Sequence, residues 1–131
     1  YKIKDFSEKY DKSVKDRICN IQAMDYTRMG ASIRHLTMLL KNVEAKTKLL
    51  ITLSDGKPDD VDGYRGTYGI EDTKKALIEA RFQGIHTYCI TIDEEAMEYL
   101  PYMYGKSNFA VINQVDKLPK KVSDIYRKIT A

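Results

Sequence analysis

A chain of 131 residues with 43% apolar and 31% charged side chains has the size and balance of one globular domain, which excludes a disordered or fibrous polymer. Its 22 Lys and Arg against 19 Asp and Glu leave a net charge of +3. That charge is too small and too interspersed to bind nucleic acid or an acidic membrane. Cys19 and Cys89 are too few and too far apart for a disulfide framework, and they read as two buried thiols of a reduced, cytoplasmic protein. No apolar run approaches the roughly 20 residues needed to cross a bilayer, and no signal-peptide pattern is present. Because the chain starts at Tyr1 rather than Met, the natural protein is expected to extend upstream.

In chain order, Lys2 to Phe6 reads as a short strand, followed by a polar helix carrying Val14 and Ile18. Ile33, Leu36, Leu39, Leu40 and Val43 then recur at helical spacing, so a helix with one apolar stripe is expected there. Either Asp25 or Thr27 can cap it through a side-chain oxygen. "KLLITLS" is apolar without alternation and is ended by Asp-Gly and Pro58, the pattern of a strand buried on both faces of a parallel sheet. Residues 55 to 69 hold four Gly and one Pro and form a loop of unusual length. Loops beyond about 12 to 15 residues are usually functional or disordered.

A helix is expected from about Glu71 to Phe82, with Glu71 and Asp72 complementing the dipole at its start. "IHTYCITI" is a second buried strand ended by Asp93, and "EEAMEYLPYMYG" a short helix limited or kinked by Pro101. "FAVIN" is a third strand. Leu118, Val122, Ile125, Tyr126 and Ile129 stripe the last helix. Strands alternating with helices define an α/β fold, a doubly wound and mostly parallel sheet with helices on both faces. Ligands of such sheets gather outside the carboxyl ends of the strands, where Asp55, Asp93 and the loop before Thr27 all fall.

The residue types at that edge favour hard-oxygen chemistry. Asp55 is either a ligand or catalytic carboxylate projecting into the crevice, or the first residue of an ordinary Asp-Gly turn. Thr27 is either a helix cap or a hydroxyl donor in "TRMGASIRH", where Gly30 would let backbone approach closely. Together they offer the oxygens Mg²⁺ prefers, but only two of six. His35, His86 and the two cysteines form no zinc spacing. "DGKPDDVD" lacks the order of a calcium loop, and no phosphate-binding or nucleophile-elbow motif occurs. Asp59, Asp60 and Asp62 read as a solvated loop.

"TRMGASIRH" and "LLITLSDGKPDD", continued by "GYRGTYGIEDTKKALIEARFQGIHTYCITID", "YLPYMYG" and "LPKKVSDIYRKIT", resemble the von Willebrand factor type A domain of NorD-like accessory proteins of nitric oxide reductase. The resemblance implies a metal-ion-dependent adhesion site holding Mg²⁺ or Mn²⁺, built from an early DxSxS motif, a Thr in a later loop and the Asp of an "[ST]DG" turn. Thr27 and Asp55 match the last two. The DxSxS motif has no match: "DFSEK" and "DKSVK" each end on Lys and lie too close to Thr27. Residues 1–131 thus resemble a partial domain, the C-terminal portion of a longer protein, lacking the first strand, first helix and second strand. Weak or absent metal binding is the corresponding expectation for this chain alone.

The implied role is non-enzymatic. The domain would contact partners, a MoxR-type AAA+ ATPase and a client metalloenzyme, with Arg28, Lys57, Asp59, Tyr64, Arg65, Tyr68 and Asp93 as candidate contacts. The competing readings are a receiver-like or other Mg-dependent phosphate-handling domain using Asp55, and a metal-free interaction module. Loss of a neighbouring strand would leave the 49–54 edge unpaired, so the chain is expected to self-associate there.

Overall fold

The computed structural model describes residues 1–24 and 26–131. Three strands, β1 (Lys48–Ser54), β2 (Ile85–Thr91) and β3 (Phe109–Val111), form one parallel sheet in that order. Leu50 pairs with Thr87, Ser54 with Thr91 and Ile90 with Ala110. Parallel neighbours need a crossover. Helix α3 (Gly66–Phe82) supplies the first, and a 3-10 turn at Ala96–Glu98 with α4 (Leu100–Tyr104) supplies the second. Helices α1 (Lys12–Cys19) and α2 (Met29–Lys41) precede the sheet, and α5 (Leu118–Thr130) ends the chain. The class is α/β, as the alternation of elements predicts.

Successive side chains of a strand point to opposite faces, so the sheet has two cores. The larger one joins Leu50, Ile85 and Cys89 to Ile33 of α2, to Ala76, Leu77 and Ala80 of α3, and to Met103 and Tyr104 of α4. Burying a Leu or Ile there contributes about 1.5–3 kcal/mol. The second is smaller: Ile90 and Ile112 against Ile125, with Ile51, Tyr88, Val122 and Ile129 half covered. Among the described residues α5 is the one helix packed over that face, and Leu53 at its margin is 63% exposed.

Several expectations change. Lys2 to Phe6 forms no strand, because Asp5 accepts from its own neighbours, the Phe6 N–H and the Lys2 ammonium, in a local turn. Asp11 caps α1 by accepting from the Val14 N–H at 3.2 Å. Cys19, read as buried, is exposed, whereas Cys89 is buried. In α2, Ile33 is buried but Leu36 and Leu39 are exposed, so only part of its stripe meets the core. The Asp25 capping alternative lies outside the described residues.

β1 is not buried on both faces: Leu50 alone is buried, because β1 is an edge strand with a single neighbour. Helix α3 begins at Gly66, a full turn before the expected Glu71, and Gly69 is why it can. A Cβ at Gly69 would stand 2.9 Å from the Pro58 carbonyl oxygen. The stretch around Pro101 is split, as expected of a proline: a 3-10 turn at Ala96–Glu98 gives way at Tyr99 to α4, and Pro101 lies in the first turn of α4, where its missing N–H costs nothing. Tyr126, assigned to the stripe of α5, is exposed.

Candidate functional site at the carboxyl ends of the strands

The loop that follows β1 is fastened on two sides. On one, the Thr27 N–H donates to the Asp59 carbonyl at 2.7 Å, an isolated antiparallel bridge that lays the segment entering α2 against the loop. Arg28 continues this contact. Its Nε donates to Asp60 Oδ2 at 2.8 Å, Asp62 is 3.9 Å away, and the guanidinium lies 5.0 Å from the centre of the Tyr64 ring. On the other side, the Lys57 ammonium bonds Glu95 and Glu98, each at 3.1 Å, over the Tyr99 ring. The three chain segments expected at the ligand edge are therefore tied into one surface.

Asp93, at the end of β2, is used locally. Its Oδ2 accepts from the Tyr99 hydroxyl at 2.6 Å and its Oδ1 from the Glu95 N–H at 2.9 Å. The Tyr99 bond holds the Asp93 carboxyl below the ordinary carboxylate range, and burial with that same bond pushes the Tyr99 hydroxyl far up. Asp93 is thus a turn-forming residue of the surface. Arg65 pairs with Asp59 at 3.4 Å, and both remain exposed. Tyr68 is exposed and meets the Tyr64 ring edge-on at 5.1 Å.

Tyr64, expected among the rim contacts, is 1% exposed. Its hydroxyl donates to Asp72 Oδ2 at 2.6 Å and accepts from the Gly30 N–H at 3.1 Å. Asp72 in turn takes Arg34 at 2.9 Å, and Arg34 also bonds Glu79 at 2.8 Å. Burial works against the Asp72 charge, but the Tyr64 hydroxyl and the Arg34 guanidinium outweigh it and hold the carboxyl below its usual value. Since α3 starts at Gly66, Asp72 does not serve the start of its own helix. It lies instead beside the amino end of α2. Arg34 and Glu79 escaped the sequence reading, which placed Asp72 at the start of its own helix. The seven-residue spacing of Asp72 and Glu79 along one helix face was the available signal for a cation opposite.

Asp55 and Thr27 are both exposed. The Thr27–Asp59 bridge leaves only Gly56, Lys57 and Pro58 between the bridge and Asp55, a span of at most about 14 Å at 3.6 Å per residue. Asp55 also borders a shallow apolar groove formed by Leu53, Ile90, Ile92, Ile112 and Leu118 on the α5 side of the sheet. Among the described residues no group of three or more His, Cys, Asp or Glu is arranged to hold a metal ion. A hydroxyl and one carboxylate do not fill the six oxygen positions of Mg²⁺, so this chain's own residues do not fit a complete site. The same observation leaves Asp55 without the carboxylate cluster that the receiver-like alternative needs.

The fold and this edge define an α/β domain whose loops converge at the carboxyl ends of parallel strands, the ordinary ligand side of such sheets. Compared with known proteins, the chain is 47% identical over 127 residues, 97% of its length, to an uncharacterized protein of Pseudomonas aeruginosa. It is 47% identical over 112 residues, 86% of its length, to Protein NorD of Stutzerimonas stutzeri, and 40% identical over 127 residues to Protein NorD of Brucella abortus. These matches cover 21%, 18% and 20% of the three relatives, so the chain spans about a fifth of the length of the curated relatives it matches. No family model matches the chain, and no solved structure does. Among the described residues no helix is long and apolar enough to cross a membrane.

Proposed function

We propose that this chain is the partner-contacting, von Willebrand A-type portion of a NorD-like accessory protein, acting by binding rather than catalysis. It works with a MoxR-type AAA+ ATPase in the maturation or activation of a metalloenzyme such as nitric oxide reductase. The observation that carries this reading is the similarity to proteins named NorD across nearly the whole chain. Support comes also from the surface at the strand ends, where the Thr27, Asp55 and Asp93 segments are tied together and present Arg28, Lys57, Asp59, Arg65 and Tyr68. Tyr and Arg exposed at such a surface are common anchors for a protein partner.

In this reading Thr27 and Asp55 are two donors of a divalent site whose remaining donors lie outside these residues. Bound there, the ion would supply an open position for a partner's carboxylate. This chain alone binds Mg²⁺ or Mn²⁺ weakly and behaves as a metal-free interaction module, a second reading favoured by its incomplete donor set. With β1 at the edge of the sheet, the isolated chain self-associates through residues 49–54.

The decisive experiment replaces Asp55 by Ala in the full-length protein and measures nitric oxide reductase activity in cells, together with capture of the ATPase. Loss of both at an unchanged protein level is expected. Full activity and capture would remove Asp55 from the function. Titrating Mn²⁺ into this chain and into one extended upstream separates the metal readings: tight binding by the short chain would overturn the divided site.

A further inference from the structure

Helix α2 starts without a side-chain cap, since Arg28, the residue before it, makes no such bond. The free amides of a first turn need partners. The Gly30 N–H finds one 34 residues away, in the Tyr64 hydroxyl, which passes its own proton toward Asp72. Asp72, anchored by Arg34, places a negative charge beside the amino end of α2, where the helix dipole favours it. Any side chain at position 30 would displace this pair, because a Cβ there would fall 2.0 Å from Asp72 Oδ2 and 2.8 Å from the Tyr64 hydroxyl. The backbone of the β1 loop closes on the same tyrosine. The Asp60 N–H donates to the Tyr64 carbonyl at 2.9 Å, directly beside the Thr27–Asp59 bridge.

We propose that Tyr64 with Asp72 is a positioning latch. It sets the Thr27 segment against the 59–64 loop before any partner arrives, so the strand-end surface is preset rather than ordered by binding. The latch rests on the geometry of these loops and not on the identity of the partner. Its functional element is the hydroxyl. The ring of Tyr64 would fill the same space in a Phe, but the Gly30 N–H and Asp72 would each lose a buried partner.

The test is amide hydrogen exchange on the full chain carrying Tyr64→Phe. The Thr27, Gly30 and Asp60 amides should exchange at least about tenfold faster, while Cys89 and Ile112, bonded within the sheet, change by less than about twofold. Unchanged Thr27 and Asp60 amides would overturn the latch. So would an equal acceleration everywhere, which would make Tyr64 a general stabilising residue. Asp72→Asn, which keeps the shape and an acceptor but loses the charge, should move the same three amides in the same direction by less. If Tyr64→Phe fails to fold, Asp72→Asn is judged by the same amides and the same two outcomes.

Discussion

The two faces of the sheet are built to different depths. On one, α2, α3 and α4 enclose Leu50, Leu77, Ile85 and Cys89 completely or nearly so. On the other, α5 covers Ile90 and Ile112, and Leu53 and Ile92 reach solvent. The chain is the same and the strands are shared, so the difference lies in what each face is given to pack against. The thick face supports the latch and the strand-end loops. The thin face ends at the open edge of β1.

The comparison predicts an ordered series of effects. Leu77→Ala, on the thick face with no exposed area, should cost about 2–5 kcal/mol in denaturant unfolding, because its close surroundings cannot collapse into the cavity. Ile125→Ala removes the one buried residue of α5 and should fall at the low end of that range, about 2 kcal/mol, since the cover can settle inward. Equal losses at the two sites would mean that the faces are equally packed.

Tyr64→Phe should cost about 1–3 kcal/mol, the penalty for leaving buried groups unpaired. Acid should reveal the same network. With its folded pKa below the ordinary value of 3.8, Asp72 contributes stability that is complete above that value and is lost as pH falls through the folded one. Asp72→Asn should therefore flatten the acid limb of a Tm-against-pH curve. An unchanged limb would assign the acid sensitivity elsewhere. The smallest change is expected from Leu53→Lys at the edge, within about 0.5 kcal/mol of wild-type stability because the side chain is already exposed. Its larger effect should be on mass by light scattering, where a charge on β1 should reduce self-association.

The strands were legible because "KLLITLS", "IHTYCIT" and "FAV" are apolar and β-branched between breakers, and residue order places Asp55 and Asp93 at their ends. The start of α3 was not, since Gly66 and Gly69 are poor helix formers with tertiary or backbone reasons for being there: Gly66 takes a positive φ of 53°, and Gly69 allows the close approach of Pro58. Leu36 and Leu39 have the right period for a core stripe, but period alone does not say whether a neighbour exists to cover them. Of the candidate site, the exposed members were readable from turn chemistry. Tyr64 was misread as a rim residue because its partners, Gly30 and Asp72, lie on two different helices and leave no local pattern.

The loop after β1 divides into a buried root and an exposed tip. Pro58 is buried beneath Gly69 and Tyr64 is held inside, whereas Val61, Asp62 and Gly63 between them face solvent. Substitutions of Val61 meet no packed side chain and should be accepted, Asp62 and Gly63 hold positive φ (63° and 74°) and should resist most replacements, and changes at position 58 or 64 would pry α3 from the loop. Length added at Val61 would therefore change the outline of the strand-end surface while leaving the packing at positions 58 and 64 in place.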